Sequence, residues 1–182
     1  TFIMEMSRGC ANRCGFCLAS YLNLPLRSVP YDELIKTINL GLSYTDNIAL
    51  LGAQISAHPR FHDVCKYIYD KIQSGEDIKM SVSSLRVDAM TEDVVKTLTA
   101  AGQKNSTLAI EAGSDRLRKV INKNLSEEQI FNAVQIARDN GLKGLKFYGM
   151  IGLPTETEDD INAIIALAKR IKKENKGFNI SF

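Results

Sequence analysis

Short apolar runs and amphipathic stretches alternate along the whole chain. Six of the apolar runs have the length and the β-branched or aromatic content of strands. They cover about residues 2–7, 47–51, 78–83, 107–111, 145–151 and 178–182. Between them, apolar residues recur at the spacing of a helix, as in the stretch from Tyr31 to Leu42. Such an alternation is typical of βα units and predicts a parallel sheet.

Crossover segments with helical patterns link the six predicted strands. The predicted helices cover about residues 31–42, 59–72, 91–102, 117–121, 126–141 and 161–171. The clearest boundaries belong to the fifth helix, which begins with a capping box from Ser126 to Gln129 and ends at Gly141. Six strands are too few for the eight of a closed barrel. We therefore predict an α/β fold, a partial (βα)6 TIM-like barrel with parallel strands and outer helices.

The carboxyl ends of these strands should lie on one rim, because crossovers of one hand return every parallel strand in the same direction. Ligands of parallel α/β sheets bind at that rim. The polar and glycine-rich stretches expected there are Gly52-Ala53-Gln54, Ser83-Ser84, Glu111-Ala112-Gly113 and Gly152-Leu153-Pro154. A loop with three cysteines follows the first strand, so this rim is the candidate site.

Three of the four cysteines lie in one short loop, with the spacing Cys10-x3-Cys14-x2-Cys17. Cysteine thiolates in such runs hold iron–sulfur clusters, commonly four thiolates to a cluster. Three thiolates with no fourth nearby would leave one iron without a protein ligand, and an open metal position is typical of catalytic sites. The fourth cysteine, Cys65, falls on the apolar stripe of the second predicted helix and is interpreted as a core residue.

Zinc is the main alternative for these cysteines. Cys14 and Cys17 could combine with His58 and His62 in a zinc-stabilised binding module. The intervening stretch is far longer than the roughly 12–15 residues of a zinc finger, and Cys10 would have no role. A second alternative is a barrel-type lyase or aldolase acting on a phosphorylated small molecule, which would need a lysine or metal base at the rim.

The composition excludes few classes of protein, but it indicates the cellular compartment in which the protein is expected. The 182 residues are 45% hydrophobic and 24% charged, as in an ordinary globular domain. A net charge of +2 does not indicate nucleic-acid binding, and no apolar run approaches the roughly 20 residues of a membrane span. Reduced thiols then predict a cytoplasmic protein. Because strand-like runs reach both ends, we expect residues 1–182 to be one domain of a longer chain.

Three motifs make this chain resemble the radical S-adenosylmethionine (SAM) superfamily. They are the three-cysteine loop with Phe16 inside it, the stretch IEAGSDRLRKVINK that ends at Lys123, and the stretch GMIGLPTE that begins at Gly149. The resemblance covers the whole chain and is greatest to the branch that contains methylthiotransferases, oxygen-independent coproporphyrinogen oxidases and cobalamin-associated radical enzymes.

The resemblance implies two cofactors. Cys10, Cys14 and Cys17 would be the catalytic metal ligands, binding three irons of a [4Fe–4S] cluster, and SAM would chelate the fourth iron. The residues that would contact SAM are Phe16, Gly52, Ala53, Gln54, Ser83, Glu111, Lys123, Ile151, Gly152 and Leu153. Cobalamin is a further cofactor that the resemblance leaves open for a full-length protein.

Two of these residues depart from the family pattern. Gln54 stands where relatives usually have the acid of a Gly-Gly-Glu stretch, next to the backbone that receives the methionine amine. Lys123 stands where relatives often carry an arginine for the methionine carboxylate. A lysine lacks the bidentate geometry with which a guanidinium binds a carboxylate, so the carboxylate contact is expected to differ.

The resemblance also implies a reaction. The reduced cluster would cleave SAM to a 5′-deoxyadenosyl radical, which would abstract hydrogen from a substrate that the sequence does not indicate. A flavodoxin or a ferredoxin would supply the electron.

Alternation along the strands adds one hypothesis about the barrel interior. Glu5 on the first strand and Lys146 on the fifth are polar among apolar neighbours. Since a lone buried charge is costly, we expect both side chains to point inward and to pair.

Overall fold

A computed structural model of the protein describes residues 1–82 and 85–182. Its strands are β1 (Phe2–Glu5), β2 (Ser7–Arg8), β3 (Arg27–Ser28), β4 (Asn47–Leu51), β5 (Lys79–Val82), β6 (Asn105–Glu111), β7 (Gly144–Gly149) and β8 (Asn179–Ser181). Its helices are α1 (Ala19–Leu22), α2 (Tyr31–Leu42), α3 (Phe61–Gln73), α4 (Glu92–Ala100), α5 (Asp115–Val120), α6 (Glu127–Asp139) and α7 (Glu158–Glu174).

The long strands form two parallel three-stranded sheets. Their orders are β1-β4-β5 and β6-β7-β8. A parallel bridge between Leu85 and Leu108 links the two, and the Leu85 amide donates to the Thr107 carbonyl oxygen at 3.2 Å. Among the described residues no pairing joins β1 to β8, so the sheet is an open, partial barrel. The predicted α/β architecture is confirmed.

The strands and helices form for the reasons that the sequence pattern indicates. Alternate strand residues, such as Met4, Ile48 and Leu108, are buried beneath the helices. The helices bury one stripe each; in α3 that stripe includes Phe61 and Cys65, both almost inaccessible to solvent. The apolar residues recur every second residue in the strands and about every 3.6 residues in the helices, and the two apolar surfaces pack into one core.

The opposite, concave face of the sheet is more accessible. It carries Ile3, Glu5, Leu51, Lys146 and Tyr148, all exposed. The predicted pair between Glu5 and Lys146 is wrong. Glu5 is bound instead by the Arg8 guanidinium, at 2.9 and 2.7 Å, and Lys146 lies over the Tyr148 ring. An arginine three residues away gives Glu5 a bidentate partner without crossing the barrel.

Two short strands and one short helix were not predicted from the pattern. β2 and β3 form an antiparallel pair that brackets the three-cysteine loop, and α1 begins directly after it. Strands of two residues are too short to produce an alternation that can be recognised. Within the described part of the chain, no helix has both the length and the apolar character needed to cross a bilayer.

Candidate functional site

The cysteine loop begins where β2 ends. Gly9 turns the chain there with φ +92°, and a side chain at this position would collide with the Asn23 carbonyl oxygen. Only glycine adopts this conformation without strain and leaves room for the close approach. Cys14 is buried, while Cys10 and Cys17 are half-buried. The three thiols therefore occupy a partly shielded loop at the carboxyl end of the first strand.

The loop meets the segment after β4 through Gln54. The Cys10 thiol lies 3.2 Å from the Gln54 side-chain oxygen. The Asn12 side-chain amide donates to the same Gln54 oxygen and also approaches the Cys10 sulfur at 3.3 Å. Gln54 thus contacts the cysteine loop through its acceptor oxygen.

A cavity of about 180 Å³ opens between these segments. Residues from each predicted rim segment that the structure describes line this cavity, with the exception of the segment Gly152-Leu153-Pro154. The described lining residues are Cys10, Asn12, Cys14, Phe16, Cys17, Ala53, Gln54, Ile55, Ser56, Leu85, Arg86, Ala109, Glu111 and Lys123. All three loop cysteines therefore face one space at the rim, as the sequence predicts.

Glu111 reaches the cavity because its strand is irregular. The pairing of β6 with β7 shifts register between Ala109 and Glu111, and Glu111 has φ +66°. Such an irregularity re-aims a side chain and is frequent beside functional sites. The Glu111 carboxylate accepts a 3.0 Å hydrogen bond from the Lys123 ammonium, and both side chains are 9% exposed. A buried pair of opposite charges thus forms one wall.

The electrostatics of the cavity act on Cys14 in opposite directions. Burial raises the pKa of the Cys14 thiol, whereas the positive charges of Lys123 and Arg86 lower it. A bound metal requires the thiolate form. The two cations therefore supply part of the stabilisation that a buried thiolate needs.

Several predicted SAM contacts lie away from this cavity. Ile151 is 75% exposed and lines a separate groove with Ile164 and Phe182. Gly152 turns the chain with φ +84°, and Leu153 is buried in a small apolar cluster with Ile121. Gly52 does not line the cavity; its backbone lies against Ser7. The predicted contact at Ser83 lies outside the described residues.

Other lining residues were missed. Arg86 lies four residues after the end of β5 in the sequence, and Asn12 lies within the cysteine loop itself. Ser56 lies in the short 3₁₀ turn Ile55–Ala57, which follows Gln54. Each of these residues lies in or near a predicted rim segment in the sequence, and that proximity was the signal that could have identified it.

The zinc alternative is wrong because both histidines are engaged elsewhere. His58 is buried, its Nε2 donating to the Val29 carbonyl oxygen at 2.8 Å and its Nδ1 accepting from the Arg60 amide at 3.0 Å. The His62 Nδ1 binds the Asp93 carboxylate at 2.7 Å. Over residues 1–82 and 85–182, no three His, Cys, Asp or Glu side chains converge to hold a single ion.

A four-iron cluster makes a different demand on the protein. Each thiolate binds its own iron, so the ligands surround a volume instead of converging on a point. Three cysteines lining one cavity, with two cations nearby, satisfy that demand. The residues present therefore fit the cluster that the motif implies.

Comparison with known sequences agrees with this chemistry. Residues 4–168 match the radical SAM superfamily. An uncharacterised protein of Methanocaldococcus jannaschii is 35% identical over this whole chain, which spans 39% of that relative. A tRNA-2-methylthio-N(6)-dimethylallyladenosine synthase of Chlorobium phaeobacteroides is 22% identical over 93% of the chain, again 39% of the relative. The chain thus spans about two fifths of these relatives.

Solved structures share the fold. The radical SAM methyltransferase TsrM from Kitasatospora setae, with cobalamin and a [4Fe–4S] cluster bound, superposes with a TM-score of 0.72 at 16% identity. That match covers 91% of this chain and 32% of TsrM. The coproporphyrinogen III oxidase of Escherichia coli gives a TM-score of 0.61 at 15% identity, covering 96% and 42%. With its cysteine loop, its open parallel barrel and a family match over residues 4–168, this chain belongs to the radical SAM superfamily.

Proposed function

We propose that this chain is the catalytic core of a radical SAM enzyme and that Cys10, Cys14 and Cys17 hold its [4Fe–4S] cluster. The observation that carries the proposal is the convergence of all three thiols on one cavity with Gln54 and Glu111. When bound and reduced, the cluster supplies the electron that cleaves a carbon–sulfur bond of SAM. The protein supplies binding, orientation and exclusion of water.

The Glu111–Lys123 pair is suited to the amino-acid end of SAM. That end carries one ammonium and one carboxylate, so it can exchange partners with a buried pair of opposite charges without leaving either side chain unpaired. Lys123 would then bind the carboxylate as a single charge, since it lacks a guanidinium fork. The ion pair therefore adds no net charge to the cavity wall and marks where a zwitterion fits.

Gln54 and Phe16 would orient the rest of SAM. The Gln54 side-chain oxygen, which contacts the cysteine loop, can accept a hydrogen bond from the methionine amine. Phe16 is 37% exposed on the cavity wall, where its ring can pack against adenine. A neutral acceptor at position 54 holds the amine without adding a second negative charge beside the thiolates.

Several properties of the whole protein belong to the same proposal. We place it in the cytoplasm, with residues 1–182 as its radical SAM domain and a flavodoxin or ferredoxin as electron donor. The substrate and any cobalamin would be bound with the help of segments outside this chain. We base this part of the proposal on the relatives, because the chain covers only about two fifths of their length.

Anaerobic reconstitution with iron and sulfide tests the proposal. The reconstituted protein should show broad visible absorption and, after reduction, the electron paramagnetic resonance signal of a [4Fe–4S]⁺ cluster. Addition of SAM should change that signal, because SAM becomes a ligand of the open iron. Dithionite and SAM together should then yield 5′-deoxyadenosine.

Two results would contradict the proposal. One is a reconstituted protein that binds zinc in preference to iron and sulfide. The other is a reduced cluster whose resonance signal does not respond to SAM at concentrations well above those that saturate other members of the family.

A further inference from the structure

The shape of the cysteine loop depends on a segment more than a hundred residues away in the sequence. The Asn122 side-chain amide donates two hydrogen bonds, to the carbonyl oxygens of Asn12 and Arg13, each 2.9 Å long. The Gly15 amide donates to the Ile121 carbonyl oxygen at 2.9 Å. These three bonds cross from the turn after α5 to the loop between Cys10 and Cys17.

The geometry of Asn122 is set by its own surroundings. Its backbone has φ +55°, a left-handed conformation that asparagine tolerates better than most residues. The Asn124 side chain donates to the Asn122 side-chain oxygen at 2.8 Å. That contact assigns the oxygen of Asn122 to Asn124, so the amide nitrogen faces the cysteine loop. One nitrogen then uses both of its protons on two successive carbonyl groups.

A buried arginine fixes the segment that carries Asn122. Arg118 is 1% exposed and donates to the carbonyl oxygens of Leu125, Ala112 and Gly113, at 2.7, 2.8 and 2.9 Å. It also pairs with the Asp115 carboxylate. The start of α5 and the turn after it are therefore tied to the end of β6. Ordered anchors on both sides of Asn122 make its two bonds to the loop effective constraints.

We infer that Asn122 is a positioning residue that holds the cysteine loop in the conformation that binds the cluster. The inference rests on the proposed function, because it assigns Asn122 a role only if the loop holds iron. Asn122 is not among the described residues that line the cavity, and its side-chain amide binds backbone carbonyl groups of the loop. Its effect passes through the backbone on either side of Arg13, between the first two cysteines.

The variant Asn122→Asp tests this role with little change in shape. Aspartate also tolerates a positive φ, but it has no proton to donate and would repel the two carbonyl oxygens. Outer-shell partners that orient metal ligands typically contribute about 10–100-fold to metal binding. We expect iron to be released to a chelator about 10-fold faster from the reconstituted variant, within the range just given. Asn162→Asp makes the same chemical change at an exposed position on α7 and serves as the matched control.

A second measurement needs no cluster. Amide hydrogen exchange in the cluster-free protein should be faster at Gly15 in Asn122→Asp than in the wild type, and unchanged in Asn162→Asp. Asn122→Gly, which keeps the positive φ and removes the side chain, should reproduce both effects if the added charge is not their cause. A circular dichroism spectrum like that of the wild type would show that the variants fold.

The outcomes separate this inference from the proposed function. A wild-type protein that takes up no cluster overturns the proposed function and the role of Asn122 with it. A wild type that takes up the cluster, with iron release from Asn122→Asp at the wild-type rate, overturns the inference alone. Faster iron release in Asn122→Asp and Asn122→Gly, with the control unchanged, supports it.

Discussion

Two cysteines of this chain, Cys14 and Cys65, are both buried, yet they lie in regions of opposite character. Cys65 lies on the apolar stripe of α3, and desolvation raises the pKa of its thiol to about 12. Cys14 lies at the rim, where Lys123 and Arg86 counteract the effect of burial on its pKa. Desolvation raises the pKa of both thiols on balance, but only at Cys14 do nearby cations offset part of the cost of forming the thiolate that a metal needs.

The two regions are also held together differently. The core around Cys65 consists of apolar side chains packed between sheet and helices. The rim around Cys14 is ordered by polar contacts: the Glu111–Lys123 pair and the Arg118 hydrogen bonds. A buried polar group that loses its hydrogen-bond partner costs about 1–3 kcal/mol, so the rim is sensitive to the loss of single polar contacts.

The largest expected difference between the two regions is in the effect of replacing their cysteines. Cys14→Ala should abolish cluster assembly, because two thiolates cannot hold three irons. Cys65→Ala should reconstitute to the wild-type iron content and lose only about 1 kcal/mol of unfolding free energy, for a small cavity. Iron and sulfide analysis with urea denaturation measures both. Equal loss of iron in the two variants would contradict the comparison.

Arg118→Met should destabilise the rim strongly. The substitution leaves three carbonyl oxygens without their donor in a buried setting, and each unsatisfied group costs about 1–3 kcal/mol. We expect a loss of about 3–5 kcal/mol in the free energy of unfolding, measured by urea denaturation of the cluster-free protein. The exposed Arg138→Met provides a matched comparison, expected to change stability by less than about 1 kcal/mol. Similar values for the two variants would show that the rim does not depend on Arg118.

Removing one charge of the buried pair should be costly, and removing both should not. Lys123→Met leaves the buried Glu111 carboxylate without its partner, which we expect to lower the free energy of unfolding by about 3 kcal/mol. The double variant Lys123→Met/Glu111→Gln should recover most of that loss, since buried pairs can be replaced by uncharged residues at little cost. A double-mutant cycle in urea denaturation measures the coupling. Additive losses would mean that the two side chains act independently.

The raised pKa of Cys65 predicts that the free energy of unfolding decreases slightly as the pH rises above about 9. The unfolded thiol loses its proton near the ordinary value of 9.0, while the folded thiol keeps its proton until about pH 12. Stability from this group is therefore complete below pH 9 and declines as the pH rises toward 12. Between pH 8 and pH 10, the wild type should lose about 1.4 kcal/mol more than Cys65→Ala. Parallel curves for the two proteins would exclude a buried thiol at this position.

How much could be predicted from the sequence differs between these two regions. The helix from Tyr31 to Leu42 and the strand from Asn47 to Leu51 were predicted with their observed bounds. Both have strong periodicity and clear ends, and periodicity follows from packing against a core. The role of Cys65 as a core residue was confirmed for the same reason.

The rim was only partly predictable. The loop cysteines, Gln54, Glu111 and Lys123 were identified from motifs and converge as expected. Arg86 and Asn12 were missed, and Glu5 was given the wrong partner. The placement of Glu111 depends on the irregularity before it, and Asn12 is bound by Asn122 at a left-handed turn; neither feature has a periodic signature.

The sequence by itself determined the alternation of strands and helices, the parallel sheet, the cluster-binding motif and the family. These depend on local periodicity and on the chemistry of neighbouring residues, which a linear sequence displays directly. Tertiary structure alone decided which charges pair at the rim and that Asn122 reaches the cysteine loop. Hydrogen bonds and ion pairs between residues far apart in the chain depend on distances that only the folded backbone fixes.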